Sequence, residues 1–209
     1  MCGKSKGKTP ITTRKGTQAD TRPDLVNRDF TASCPNRLWV ADITYVRTMK
    51  GFVYAAFVTD VFSSKIVGRA LSDSLRTHAL SLQALNQAIA LAKETTGLIH
   101  HADHGTQYVS IVYNQRLKES GITASTGTVG DSYDNALAEN INGSYKNELI
   151  NARRWVDAVE IEIATFQWVT WWNETRLHEN LGYRTPVEVE TEYWNTHHKK
   201  DIMENKANT

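Results

Sequence analysis

Three acidic residues stand at positions where a lone carboxylate is costly. Asp42 interrupts the apolar run 38–46, Asp103 ends the short run 98–102, and 35 residues lie between Asp103 and Glu139. A carboxylate in a core strand must be paired, neutralised or bound to a cation. Three converging carboxylates repel one another, and a pair of divalent metal ions would remove that repulsion. The chemistry that such a pair supports is phosphoryl transfer on nucleic acid.

The composition is that of an ordinary globular protein. Of the 209 residues, 40% are hydrophobic and 22% are charged. No apolar stretch approaches the length of a membrane span, and the N-terminus lacks the core of a signal peptide. Cys2 and Cys34 are the only cysteines, which fits a reducing compartment and gives no zinc-binding spacing. We therefore expect a cytoplasmic protein with no membrane partner.

The net charge of +1 conceals a basic N-terminal segment. Residues 1–28 carry seven Lys and Arg against two acids, and residues 1–36 contain little to bury. We predict that residues 1–36 form a basic, flexible tail and linker. Such a tail either contacts phosphates without sequence specificity or only keeps the protein in solution, and charge alone does not decide between the two.

The hydrophobic pattern predicts an α/β protein with three successive strands, followed by helices that alternate with two more strands. The predicted strands cover about 38–46, 52–59, 66–71, 98–102 and 122–125, and the predicted helices cover about 77–93, 110–120, 135–149, 157–176 and the residues after 185. This order predicts a mixed five-stranded sheet flanked by helices. Residues 37–150 would form the main domain, and residues 151–209 its C-terminal helical extension.

These elements bring the acids towards each other. Asp42 lies within the first strand and Asp103 ends a neighbouring one, so both are expected at one sheet edge, where α/β proteins bind ligands. Glu139 and Lys146 are seven residues apart and share one helix face, with Asn142 between them. A lysine beside this site can act as a point charge on phosphate.

Several neighbouring residues have two interpretations. His104 either contacts DNA or supports a site residue, or it is a satisfied histidine at a strand end. Gln107 and Tyr108 either contact DNA or cap and pack. His100 and His101 accompany His104, but imidazoles on alternate faces of a strand cannot all reach one zinc ion.

The loop before the third predicted helix and the C-terminal region leave similar choices. Asp131 and Asp134 fit turn and cap roles better than metal ligation. The aromatic residues of the long helix fit core packing or a subunit contact better than base stacking; they are Phe166, Trp168, Trp171 and Trp172. The polar residues after it either brace the site or form a network joining the last helices to the sheet; they are Asn173, Arg176 and His178.

Four ordered segments resemble one known family. They are Trp39–Tyr45, His101–Tyr108, Asp131–Ala136 leading to Glu139, and Trp171–Tyr183. They resemble the catalytic core of insertion-sequence transposases of the group typified by insertion sequence three, within the retroviral-integrase superfamily. The resemblance covers about residues 23–194 and places the integrase-like core at 37–150.

The resemblance implies a ribonuclease-H-like fold and a metal-binding triad of Asp42, Asp103 and Glu139. The triad would hold two Mg²⁺ or Mn²⁺ ions for DNA strand cleavage and strand transfer at insertion-sequence ends. Lys146 matches a position at which relatives often grip the terminal nucleotides. The implied partners are DNA, further copies of the chain and a helix-turn-helix product of a partner reading frame. Because relatives usually carry more residues upstream, the alternative is a truncated remnant that binds DNA or a full-length transposase without autonomous transposition.

Overall fold

The computed structural model describes residues 22–74, 79–92, 94–103, 105, 107–127 and 136–207, with side chains to residue 197. It contains one mixed five-stranded sheet. The strands are β1 (Leu38–Thr48), β2 (Gly51–Asp60), β3 (Ile66–Ser72), β4 (Ile99–Ala102) and β5 (Thr123–Thr126). The spatial order is β3-β2-β1-β4-β5, in which β1, β2 and β3 are antiparallel neighbours and β4 and β5 run parallel to β1. The predicted fold class is confirmed.

Five α-helices accompany the sheet within the described residues. They are α1 (Ala79–Leu91), α2 (Ile111–Glu119), α3 (Ala136–Glu148), α4 (Ala158–Glu174) and α5 (Pro186–Ala207). Ser110 and Asp157 cap α2 and α4 with their side-chain oxygens. Thr185 and Glu188 bond reciprocally at the start of α5, the capping box that their spacing predicts. Asp131, Asp134 and the predicted helix start at Thr77 lie outside the described residues.

The alternation along β1 divides the core into two layers. Trp39, Ala41 and Ile43 face the layer that contains α1 and α2. Val46 faces the opposite layer, which is built from α3 and α4 around Tyr145. Asp42 shares the face of Val46 by strand periodicity, so its carboxylate lies under α3. None of the helices described above is both long and apolar enough to cross a bilayer.

The segment before β1 packs against the sheet rather than forming a tail throughout. Val26 is 6% exposed and belongs to a small apolar cluster, and Phe30 packs edge-to-face on His101. The Pro23 carbonyl accepts a hydrogen bond from Thr126, the last residue of the edge strand β5. The prediction of a tail up to residue 36 is therefore wrong from residue 22 onwards, because this segment covers an otherwise open sheet edge.

The polar residues at the end of α4 and after it form a network that joins the last helices to the sheet. This is one of the two roles predicted for them. The Asn173 side chain accepts a hydrogen bond from Ile66 N–H and donates one to the Ile66 carbonyl, at 2.9 and 3.0 Å. His178 bonds the Trp172 carbonyl at 3.1 Å. Arg176 pairs with Glu148 on α3. These contacts fasten α4 to the edge strand β3 and to α3.

The aromatic residues of α4 divide between core and surface. Trp168 and Trp172 are buried in the layer above the sheet, as core packing predicts. Phe166 and Trp171 are 55% and 40% exposed. Burial in the core therefore accounts for two of the four rings, while the Arg69 guanidinium lies 4.6 Å from the ring centre of the exposed Phe166.

Candidate active site

Asp42 and Asp103 lie next to each other across two parallel strands. The register of β1 and β4 pairs Leu38 with Ile99 and ends with Ala41 opposite Ala102. Asp42 and Asp103 are the next residues in each chain, so their backbones are neighbours at the end of the paired region, where adjacent strands are about 4.8 Å apart. Both side chains keep partial exposure at this edge. This placement agrees with the prediction that the two acids lie close together.

Protein contacts surround the Asp42 carboxylate. One oxygen accepts a hydrogen bond from Ile43 N–H at 2.7 Å, and the other accepts one from the Asn142 amide on α3, also at 2.7 Å. Burial raises the pKa of Asp42 to about 7, the charge of Asp103 adds to this rise, and Glu139 adds a smaller amount. The two hydrogen bonds oppose the rise but do not cancel it. Both charges that act on the pKa of Asp42, those of Asp103 and Glu139, are thus negative.

Asp103 is held by a tight turn and by the N-terminal segment. Gly105 N–H donates to its Oδ1 at 2.9 Å. A Cβ at position 105 would lie 2.8 Å from the same oxygen, so any other residue would displace the Asp103 carboxylate. The Arg22 guanidinium donates to the main-chain carbonyl of Asp103 at 3.1 Å. The end of β4 is therefore fixed from both sides.

Glu139 occupies the exposed first turn of α3, above the pair of aspartates. The charge of Glu139 acts on Asp42, yet no three acidic, histidine or cysteine side chains in the described part of the chain converge closely enough to hold an ion. Lys146 lies two turns further along α3, with its ammonium 5.1 Å from the ring centre of Tyr45. Glu139 must approach the aspartates before all three can share a cation.

The donor set fits a hard divalent cation. Two adjacent carboxylates with a third opposite offer the oxygen ligands that Mg²⁺ and Mn²⁺ prefer. Burial and the repulsion by Asp103 raise the pKa of Asp42, and a bound cation would offset both by favouring the ionised carboxylate. Asn142 Oδ1 is buried beside Asp42 and has no hydrogen-bond partner in the part of the chain that the structure describes, which is costly unless a ligand or water completes it. The site thus offers carboxylate and amide oxygens to a divalent cation.

The residues that were predicted to contact DNA differ in how exposed they are. His104 lies outside the described residues. Gln107 and Tyr108 are 5% and 2% exposed, so the alternative of packing is the one found, and their prediction as DNA contacts is not supported by this geometry. Asn142 is 8% exposed and is directed at Asp42 rather than outward. Lys146 alone keeps a partly exposed position beside the acids.

The histidines of β4 are core residues that contact other protein groups. His100 is fully buried, bonds the Tyr113 hydroxyl at 3.0 Å, and has a pKa lowered to about 3 because burial disfavours its charged form. His101 Nδ1 lies 3.0 Å from Ser125 Oγ on β5. Their side chains contact different elements, as expected for alternate faces of one strand.

Sequence reasoning missed the role of Arg22. Its charge reaches beyond Asp103 to the buried ring of His100, whose pKa it helps to lower. The only signal was its membership of a basic segment, which predicted phosphate contact instead. Only the path of residues 22–26 along β5 brings this side chain to the end of β4.

The fold is that of retroviral integrase catalytic cores. The HTLV-2 integrase catalytic core domain, solved in complex with magnesium, superposes with a TM-score of 0.60 at 20% identity. The match covers 77% of this chain and 99% of that domain. Two models described as integrase core domain match residues 32–132 and 120–186.

Similar sequences define the family more narrowly. A transposase for insertion sequence element IS629 from Shigella sonnei is 50% identical over 93% of this chain and 64% of its own length. A transposase for insertion sequence element IS904 from Lactococcus lactis subsp. lactis is 36% identical over 85% of this chain and 70% of its own length. This chain belongs to the insertion-sequence transposases that carry an integrase core domain, as the four sequence segments predict. It spans about two thirds of the length of these relatives.

Proposed function

We propose that the chain cleaves DNA strands at insertion-sequence ends and transfers them to a target. The observation that carries this proposal is the adjacency of Asp42 and Asp103 at the ends of β1 and β4, beneath the helix that bears Glu139. We also propose that residues 22–150 form the catalytic core, with residues 151–209 as its C-terminal extension.

Asp42, Asp103 and Glu139 are proposed to hold two Mg²⁺ or Mn²⁺ ions. The chemistry supplied by such a pair is activation of an attacking water or 3′-hydroxyl and stabilisation of the leaving oxygen. One phosphorus–oxygen bond forms as the opposite one breaks, so no covalent bond to the protein is required.

The remaining residues of the site orient the carboxylates or attract the DNA backbone. Asn142 fixes one oxygen of Asp42 by its amide, and Gly105 fixes one oxygen of Asp103 by its N–H. Lys146, steadied against the Tyr45 ring, places an ammonium where the DNA backbone would pass. Each of these groups is set by contacts within the chain, which lowers the cost of ordering the site when DNA binds.

Assembly with further copies is part of the proposal. Val159, Ile163 and Phe166 form an apolar stripe along α4 and are 64%, 58% and 55% exposed. Such a stripe is typical of a surface that a partner covers. A helix-turn-helix product of a partner reading frame would supply recognition of the DNA ends, and the protein would act in the cytoplasm.

The test uses the purified chain with duplex oligonucleotides that carry the terminal inverted repeats of its element. We expect Mg²⁺-dependent nicking at the repeat ends and joining of the exposed 3′-hydroxyl to target DNA. Nicking without joining would indicate a nuclease. The assay is repeated with the helix-turn-helix partner of a full-length relative added. If the chain shifts the DNA on a gel but gives no Mg²⁺-dependent product in either assay, it is the non-catalytic remnant and the proposal is contradicted.

A further inference from the structure

The paired part of β4 ends one residue before Asp103. The registers of β4 with β1 and with β5 both end at Ala102. The place of the aspartate therefore depends on contacts outside the ladder. Gly105 N–H donates to its carboxylate at 2.9 Å, and the Arg22 guanidinium donates to its main-chain carbonyl at 3.1 Å. A charged donor holds a carbonyl more firmly than a neutral one, so the arginine is the stronger of these two holds on the strand end.

The segment that carries Arg22 is fastened to the neighbouring strand. The Pro23 carbonyl accepts a hydrogen bond from Thr126 N–H at 3.2 Å, and Leu25 N–H donates to Ser125 Oγ at 3.0 Å. Both partners belong to β5, which runs parallel to β4. The guanidinium is therefore presented by a backbone that is itself fixed relative to the strand end it bonds.

The same segment also reaches the helix that bears Glu139. Val26 lies in one apolar cluster with Ala138, the residue before Glu139 in α3. Both side chains of this pair are buried. Residues 22–26 thus bond the strand end that carries Asp103 and pack with the first turn of α3, so they connect the two sides of the site.

We propose that Arg22 is a positioning residue, which holds the end of β4 so that Asp103 can share divalent cations with Asp42. A site built from several ligands needs each of them held near its productive place by surrounding contacts. Loss of such contacts weakens metal binding. The guanidinium acts on the backbone of Asp103 and not on the cation. This inference rests on the proposed cation-binding role of the aspartates.

The charge of Arg22 and its hydrogen bond have opposite effects on cation binding. A guanidinium near the aspartates repels a cation, so its removal would tighten cation binding if charge alone mattered. Removal of the hydrogen bond would loosen the strand end and weaken cation binding. Phosphate contact, the role predicted from the basic segment, would affect DNA binding and would not weaken cation binding. The sign of the change in cation affinity therefore separates positioning from the other two roles.

The test compares Arg22→Gln with the matched variant Arg37→Gln in the full chain. Arg37 is exposed and its guanidinium lies against Gly97, before β4 begins, so the control removes the same charge at the other end of the strand. Binding of MnCl₂ is measured by calorimetric titration without DNA, and amide exchange at Gly105 by NMR without metal. We expect Arg22→Gln to weaken Mn²⁺ binding about 10-fold and to speed exchange at Gly105. Arg37→Gln should change neither by more than about twofold.

Three results would overturn the inference. The first is an Mn²⁺ affinity that is unchanged or higher in Arg22→Gln, and the second is an equal loss in both variants. If Arg22→Gln does not fold, Arg22→Met takes its place, because methionine keeps an apolar stem and removes the donors and the charge. The third result is failure of both substitutions at position 22 to fold, because the arginine would then serve the fold.

Joining of DNA ends gives a separate measure of the proposed function. If Arg22→Gln binds Mn²⁺ more weakly but the unaltered chain joins no DNA ends, the proposed function fails while this inference stands. If ends are joined and Arg22→Gln binds Mn²⁺ normally, the inference alone fails. An unaltered chain that binds no Mn²⁺ would overturn both the inference and the role of the aspartates on which it rests.

Discussion

Two polar regions of this molecule differ in how completely their groups are satisfied. Where the pairing of β1 and β4 ends, burial and the charges of Asp103 and Glu139 raise the pKa of Asp42. Two buried oxygens there, on Asn142 and Tyr108, have no hydrogen-bond partner among the described residues. In the C-terminal network, the Asn173 amide uses both of its atoms, and Arg176 pairs with Glu148.

The difference indicates which region serves the fold and which serves a ligand. Polar groups that are already paired stabilise the chain as it stands. Repelling carboxylates and unpartnered acceptors lower stability until a cation and its surrounding donors arrive. Substitutions in the two regions should therefore have opposite consequences for activity and for stability.

The largest effect is expected from Asp42→Asn. The amide keeps the shape of the side chain but supplies a weaker cation ligand, so Mg²⁺-dependent DNA cleavage should fall about 10³-fold or more. Stability without metal should rise or stay unchanged, because a charge repelled by Asp103 is removed. Cleavage of a labelled inverted-repeat duplex and thermal unfolding measure the two quantities. Retained cleavage, or a clear loss of stability, would mean that Asp42 serves the fold and not a cation.

For Asn173→Ala we expect a loss of stability with little change in DNA cleavage. The substitution leaves the N–H and carbonyl of Ile66 without partners at the edge strand β3, so the free energy of unfolding should fall by about 2–4 kcal/mol. Cleavage per folded molecule should stay within about twofold, since Asn173 lies on α4 and bonds β3 rather than the acids. Urea unfolding gives the first quantity. A large loss of cleavage at full folding would mean that the network also braces the site.

The two aspartates could be placed from sequence better than the groups around them. Strand alternation and the carboxyl end of β4 suffice to bring Asp42 and Asp103 together, because both follow from local periodicity. The inward direction of Asn142 and the burial of Tyr108 depend on how α3 and α2 pack, which one-dimensional spacing does not contain. The packing of residues 22–36 is hard to predict from sequence, because it depends on Val26 and Phe30 among polar neighbours, without a helical or strand period.

A smaller effect concerns pH. The folded-state pKa of Asp42 is raised from 3.8 to about 7, so the folded chain holds this proton more tightly than the unfolded chain. Its contribution to stability therefore falls as pH rises from about 4 to about 7 and stays low above that. Allowing for solvent screening at a partly exposed group, the loss should be about 2 kcal/mol.

Comparison with Asp42→Asn isolates this titration from that of the other groups. Without metal, the two chains should be nearly equal in stability at pH 4, and the variant should be more stable at pH 8. Saturating Mg²⁺ should reverse the order at pH 8, because only the original chain gains a cation that offsets the charge. Chemical unfolding at the two pH values, with EDTA and with Mg²⁺, measures this. A stability difference that does not vary with pH would mean that Asp42 is ionised as easily in the folded chain as in the unfolded one.

The smallest effect is expected from Glu148→Gln in the C-terminal network. Glu148 pairs with Arg176 at 2.9 Å, but both side chains are 27% exposed, so solvent screens much of the attraction. The free energy of unfolding should fall by about 0.5–1 kcal/mol, and the loss should shrink further in 1 M NaCl because salt screens the pair. The glutamine can still accept the bond that Trp168 donates to Glu148, which limits the damage. A change in Mn²⁺ affinity would show that α3 transmits strain from the network to Glu139, and the two polar regions would then not be independent.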